Sequence, residues 1–367
     1  MPRSDTWRHF DFLLFSAVLV LSIFGITMIR SAIAGNELLA SYVPRQAIFV
    51  TAGLVVIFVT ASFDYHYWGS LTRWMYLFIV GFLVVIFVYG TARFGSARWV
   101  DTGLVLIQPS ELAKIVMILV LADYFARNND LKKDLGWIGR SLLLTGGVVI
   151  WILLQPNLST SIVIMVIWFS LLWISGLPIK YILIFVLLGI ILAGVAFTFL
   201  KPYQQERIIS FLFPDPNARY GNTFNVDQAL ITIGSGGWFG QGYGHGTQVQ
   251  LHFLRARQTD FIFSVIAEEF GFVGTSIVVF LLVFVVLRCL RAARLAADPF
   301  GANIAYGFGI LIFFQTIVNI GVNLNVLPVT GLTLPFISYG GSSLLSMVLG
   351  IGLVESVIIR RKPTSDN

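Results

Sequence analysis

Residues 240–274 read GQGYGHGTQVQLHFLRARQTDFIFSVIAEEFGFVG. A polar, glycine-rich loop runs here straight into an apolar segment that still carries acids, with Asp260 at the junction and Glu268 and Glu269 further along. If the apolar segment is a helix, the two glutamates sit two turns beyond the aspartate, roughly 12 Å deeper. Ionisable groups at that depth of a membrane are expensive and mark function.

The rest of the chain supplies the membrane. Of 367 residues, 57% are apolar and only 11% charged, too greasy and too uncharged for a soluble domain of this length. Runs near the length needed to cross a bilayer fall at about 11–30, 46–63, 73–92, 109–126, 140–155, 158–176, 179–200, 261–288, 303–325 and 339–359. The chain is therefore expected to be an all-α polytopic membrane protein of about ten transmembrane helices, a single membrane domain over residues 1–367. One long connection, 201–260, lies between spans 7 and 8. The first span ends near Ala32-Ile33-Ala34, which imitates a signal-peptidase site, but its apolar run is too long for a signal peptide and it reads as a retained helix.

With both termini placed in the cytoplasm, most of the 24 Lys and Arg fall inside, and much of the remainder lies in the long loop, where the charge rule is weak. Membrane orientation and anionic headgroups account for the net charge of +6, so no nucleic-acid role is needed. Single Cys289 excludes a disulfide framework. Cytoplasmic connections such as 127–140 are short and basic, whereas those on the other face hold polar residues against span ends: Arg45-Gln46, GSARW at 95–99, QPSELAK at 108–114 and QPNLST at 155–160. Function is thus expected to face outward.

In 108–114, Pro109, Ser110 and Glu111 form an ordinary helix start. Lys114, one turn inside a membrane helix, requires a carboxylate, which Glu111 or an acid of another helix, such as Glu268 or Glu269, could supply; a structural ion pair and a substrate-binding cation are equally good readings. The 201–260 connection is far longer than an ordinary loop, and 203–213 and 223–233 within it space apolar residues as amphipathic helices would. Its glycine cluster, 234–246, fits no GxGxxG frame and no P-loop, so the glycines serve tight turns or close backbone approach. His245 and His252 lack neighbours at metal-ligand spacing.

Thr259 and Asp260 suit the cap of a helix beginning at Phe261. Two features point further. Arg255 and Arg257 precede the acid as an outward cationic cluster suited to phosphate, and Asp260, Ser264 and Glu268 form one polar stripe, which on a buried helix must face partners or water. Finally 319–343 breaks a span with prolines and glycines, irregular backbone that is tolerated at membrane depth only under protein cover or beside a cavity.

Taken together, GSARW, QPSELAK, YQQER at 203–207, IGSGGWFGQGYGHGTQ at 233–248, RQTDFIFSVIAEEFGFVG at 257–274 and PVTGLTLPFISYGGSS at 328–343 resemble the SEDS family of shape, elongation, division and sporulation proteins, over essentially the whole chain and most like its rod-shape branch. The resemblance implies a ten-helix peptidoglycan glycosyltransferase of the bacterial cytoplasmic membrane. Such an enzyme polymerises lipid II on the outer face, releasing undecaprenyl pyrophosphate, and works with a class B penicillin-binding protein and other cell-elongation proteins. It also implies roles for particular residues: Asp260 as the essential aspartate, proposed general base; Glu111 and Lys114 as the acid and cation of the fourth span; and Arg45, Arg98 and Arg207 as external arginines. Arg255, Ser338, Tyr339 and Gly340 complete the expected substrate-binding set. Two positions depart from the family pattern: Asn157 replaces an aspartate in QPNLST, and Asn325 replaces a glycine before PVTG. No metal site is assigned; a divalent cation, if the reaction uses one, would be held mainly by pyrophosphate. A lipid II flippase would use the same spans and intramembrane charges, and a purely structural scaffold is a third reading.

Overall fold

The computed structural model describes residues 6–361 apart from 90, 94–95, 102–105, 130–132 and 215–220; side chains at 91–101 also lie outside the description, Arg98 among them. Each expected span coincides with a helix: α1 (Phe12–Ala32), α2 (Tyr42–Ser62), α3 (Tyr65–Tyr89), α4 (Pro109–Arg127), α5 (Leu135–Leu154), α6 (Leu158–Ile174) and α7 (Ile179–Phe199). The long connection then carries α8 (Pro202–Leu212), α9 (Gly221–Ser235) and the single-turn α10 (Thr247–Gln250), before α11 (Ile262–Leu295), α12 (Pro299–Asn323) and α13 (Gly341–Ile359) close the bundle. Seven of the described helices are long and apolar enough to cross a membrane.

One element was not legible. Between α3 and α4 the chain forms a small antiparallel sheet, β1 (Thr91–Arg93), β2 (Ser96–Asp101) and β3 (Leu106–Ile107), so the GSARW motif lies mostly on a strand and Arg98 takes its position from β2. Strands this short leave no usable alternation in the sequence.

The core lies where α4, α12 and α13 meet: Ile118, Leu121, Phe308, Ile312, Ile351 and Val354 are all fully or almost fully buried. α2 packs along α13 and α1 along α11. α9 is amphipathic as expected, and its apolar face, with Val226 and Ala229 buried, packs on α11 and α12.

α11 is not one continuous helix. At Gly271, φ +65 and ψ −164 break the ladder, a conformation open essentially to glycine alone. Four backbone groups lose their helical partners there, and the glycine loop takes all of them: the N–H of Phe272 and Val273 donate to the carbonyls of Gly237 and Trp238, while Gln241 and Gly242 donate to the carbonyls of Glu268 and Glu269, at 2.9–3.1 Å. Unpaired backbone in a membrane costs several kcal/mol per group, so the break exists only because the loop seats in it. The approach is close: a Cβ on Gly236 would stand 1.8 Å from the Ala267 carbonyl oxygen, and one on Gly240 2.2 Å from that of Glu269. The glycine cluster is thus a backbone clip.

Candidate active site

Asp260 stands half-buried just before α11. The expected cap is absent: α11 starts at Ile262, its cap residue is Phe261, and no side chain of its own segment caps it. Instead two asparagines of α12 approach from the side. Asn319 Nδ2 and Asn323 Nδ2 both donate to the Asp260 carbonyl, at 3.0 and 2.9 Å, and Asn323 Oδ1 accepts from Ser264 N–H at 3.1 Å and Ser264 Oγ at 2.7 Å.

The irregular segment between α12 and α13 folds over this junction. Ser338 Oγ donates to the Thr259 carbonyl at 2.7 Å and Tyr339 N–H to the Gln258 carbonyl at 2.9 Å, while Asn319 Nδ2 also holds the Leu332 carbonyl at 2.8 Å. Gly331, at φ +76, lies against the acid: a Cβ there would sit 3.8 Å from Asp260 Oδ2. The segment is therefore both a connection between spans and the wall of the site.

Further hydrogen bonds string the other motifs to this wall. Ser159 Oγ donates to the Thr330 carbonyl, Arg207 Nη1 to the Val329 carbonyl at 3.4 Å, and Tyr203 OH to the Pro156 carbonyl at 3.0 Å. Asn157 Nδ2 reaches Ser110 Oγ at 3.1 Å, one residue from Glu111. On the far side, Gln46, fully buried, donates through Nε2 to the Ser338 carbonyl and accepts from Gly340 N–H, both at 3.4 Å. Tyr339 stacks on Tyr42 with ring centroids 4.0 Å apart and hydrogen-bonds Arg45; burial raises its phenol above the ordinary value. Asp260, Arg207, Arg45, Ser338, Tyr339 and Gly340 thus share one neighbourhood. Beside it, Arg207, Ser210, Pro214, Thr223, Asp227 and Asn325 line a cleft.

Electrostatics favour a titratable acid. Burial pushes the Asp260 carboxyl up to about 6, against the downward pull of the Arg207 charge and a hydrogen bond from Thr259. Proximity to a helix N-terminus and arginines alone implies the reverse shift; desolvation wins.

Three expectations are corrected. Arg257 does not join an outward cluster: it is 6% exposed and turned inward, donating to the Ala32 and Leu254 carbonyls and contacting His252. Arg255 alone of the two is exposed. Lys114 pairs with Glu111 at 2.8 Å and has no exposed surface, so Glu268 and Glu269 are not its partners. Glu268 instead accepts the backbone N–H of Gln248 at 2.8 Å and of Val249 at 3.2 Å, anchoring α10, and Glu269 accepts from Ser31 of α1. The polar stripe thus divides, with Asp260 facing the site while Ser264 and Glu268 bond neighbouring segments.

A family model of the FtsW/RodA/SpoVE cell cycle proteins matches residues 9–362. The chain belongs to this family. It is 35% identical to a probable peptidoglycan glycosyltransferase FtsW of Shewanella sediminis, with 97% of this chain and 88% of that protein covered. To the peptidoglycan glycosyltransferase MrdB of Escherichia coli K12 it is 34% identical, with 97% and 95% covered. The crystal structure of Thermus thermophilus rod shape determining protein RodA aligns with a TM-score of 0.73 at 29% identity, covering 96% of this chain and 98% of that one. A chain solved in work on the structural coordination of polymerization and crosslinking by a peptidoglycan synthase complex reaches 0.83 at 30%, covering 96% and 98%. Like its SEDS relatives, the protein is a multi-pass protein of the inner membrane. Identity to FtsW and MrdB relatives is equal within a point or two, so it does not separate the division and elongation branches.

Both departures from the SEDS pattern have local explanations. Asn157 caps α6 by accepting Thr160 N–H at 3.3 Å, a task asparagine and aspartate do equally well. Asn325 has φ +54, the left-handed region where asparagine is the best substitute for glycine. Missed altogether were the roles of Asn319 and Asn323; two amides one turn apart in a membrane helix were the available signal.

Proposed function

We propose that the chain is a peptidoglycan glycosyltransferase that polymerises lipid II into glycan strands during cell elongation, with Asp260 as general base. The observation that carries this reading is a single carboxyl, raised to about 6, beside the charge of Arg207 in a site walled by five segments of chain. A base of that strength is matched to neutral pH. Asp260 takes the proton of the acceptor sugar hydroxyl. The hydroxyl oxygen then forms a bond to the anomeric carbon of the donor, the bond from that carbon to the pyrophosphate oxygen breaks, and the negative charge leaves on undecaprenyl pyrophosphate.

One carboxylate and a pre-activated donor suit a single inverting displacement, unlike the paired carboxylates of most glycosidases. Arg207 and Arg45, with Arg98 and Arg255, stabilise the developing pyrophosphate charge, and such contacts supply several kcal/mol in a partly dry site. The buried Glu111–Lys114 pair adds a polar support under Ser110. Ser338, Tyr339 and Gly340 shape the substrate wall. Among the described residues no cluster of acids, histidines and cysteine suits a metal ion, so a divalent cation would be held chiefly by pyrophosphate oxygens.

The active face is the extracytoplasmic one, supported by the basic loops at the opposite end and by lipid II being consumed outside. A class B penicillin-binding protein is the partner; the similarity to a chain from a peptidoglycan synthase complex supports it. Purified protein, alone and with that partner, is to be given labelled lipid II and its product resolved by chain length. Glycan chains lost on Asp260→Asn are expected; lipid moved across vesicles with no glycan made identifies a flippase instead.

A further inference from the structure

We propose that Asn323, assisted by Asn319, is the positioning residue for Asp260: it caps α11 from a second helix, and so keeps the Asp260 carboxylate out of the cap and turned to the substrate. This rests on the reading of Asp260 as general base.

A helix N-terminus demands acceptors for its first N–H groups. The local sequence offers Thr259 and Asp260, and an aspartate there would ordinarily fold back and accept from the second or third helical N–H. In this protein the third, Ser264, is already served twice: its N–H is shared between the Phe261 carbonyl and Asn323 Oδ1, both at 3.1 Å, and its Oγ donates to Asn323 Oδ1 at 2.7 Å. The same amide donates through Nδ2 to the Asp260 carbonyl at 2.9 Å and to the Asn319 carbonyl at 2.8 Å. One side chain therefore ties the residue before the helix to its first turn.

Asn319 adds a second hold on the Asp260 carbonyl at 3.0 Å and carries it to the substrate wall through Leu332. Asn319 and Asn323 are 1% and 0% exposed, so water does not compete for these bonds. Buried amides with their hydrogen bonds satisfied are rigid, which is what a base needs if its oxygens are to meet an acceptor hydroxyl. An acid drawn into the cap would be held by backbone N–H groups, favouring its charged form and weakening it as a base.

The amide has no equivalent substitute, and this supplies a test with a sign. Asn323→Ala leaves Ser264 N–H only the Phe261 carbonyl and removes one of the two holds on the Asp260 carbonyl, so the Asp260 side chain is free to turn into the cap. Asn323→Asp still accepts from Ser264 but cannot donate to the Asp260 carbonyl, and it sets a second negative charge beside the base. Full-length protein in nanodiscs, with its penicillin-binding partner and labelled lipid II, is to be assayed across pH for both variants. Asn323→Ala is expected to lower kcat about 10- to 100-fold with KM within about threefold, and to move the acidic limb of the rate profile to lower pH. Asn323→Asp is expected to move that limb to higher pH.

Opposite displacements are a signature that general loosening of the fold does not give. If only one variant accumulates as folded protein, the direction of its limb decides. Limbs that stay in place, or move the same way, overturn the inference. Full activity in Asp260→Asn would instead remove the general-base reading on which it rests.

Discussion

At one end of the bundle Asp11 is gripped by Arg288, and its backbone N–H donates to Glu355 at 2.9 Å. Beside it, His66 lies 2.7 Å from Asp64 and 3.1 Å from Asp298, with Arg360 3.5 Å from Asp64. At the other end Asp260 is in no ion pair among the described residues, and the arginine whose charge it feels donates to the Val329 carbonyl instead. Both ends set acids in a greasy protein, yet only one end gives each acid a cation or a backbone donor at contact distance. A carboxylate closed in that way holds helices together, since separating it from its partner leaves a buried charge. A carboxylate left open is unstable in either state, and that is the condition for moving protons at neutral pH. Burial of charge alone therefore does not mark the site; burial without a cation or a backbone donor at contact distance does.

The largest expected effect tests the open acid. Asp260→Asn should lower polymer formation from labelled lipid II by about 10²- to 10⁴-fold, the usual share of a general base. It should also raise the thermal unfolding temperature at pH 7. The carboxyl sits at about 6 in the fold against an ordinary 3.8, so ionising it there costs stability that is absent below 3.8 and complete above about 6. The closed end should respond the other way. Arg288→Ala, leaving Asp11 buried and uncompensated, should cost about 3–5 kcal/mol of stability in thermal or denaturant unfolding, with the rate per folded molecule unchanged.

Glu268→Gln, on the helix that follows Asp260 but closed by backbone donors, should cost about 1–3 kcal/mol with polymerisation retained. Loss of polymer in well-folded Glu268→Gln, alongside activity in Asp260→Asn, would reverse the roles of the two acids. A pH titration of the unmodified protein should show the rate falling about tenfold from pH 7 to pH 5, as Asp260 protonates through about 6. Smallest of all, Asn157→Asp should change stability by only a few tenths of a kcal/mol, because either side chain caps α6.

Much of this contrast was legible in the sequence. Apolar run length placed the ten helices to within a few residues at most boundaries, with α3, α5 and α11 departing most, because a bilayer leaves the chain little choice at that scale. Amphipathic spacing found α8 and α9, and an acid at a loop-to-span junction found Asp260. What was not legible depends on partners far away in sequence. Arg257 looks outward beside Arg255, but the Ala32 carbonyl at the end of α1 draws it in. Glu268 looked like a mate for Lys114 until the N–H groups of Gln248 and Val249 were seen to claim it. Periodicity tells which residues share a face; it does not tell what comes to meet that face.

The break at Gly271 also bears on how the protein assembles. The loop at 234–246 is synthesised before α11, yet its backbone has nothing to bond until Glu268 and Glu269 have arrived and the helix has broken. α11 in turn cannot rest in lipid with four backbone groups open. Neither half is stable first, so the helix end that follows Asp260 is set in place by a late, cooperative docking step rather than by insertion of a finished span. A larger residue at Gly236 or Gly240 should therefore show itself during biogenesis, as chains that reach the membrane and are degraded there, before it shows itself in any rate.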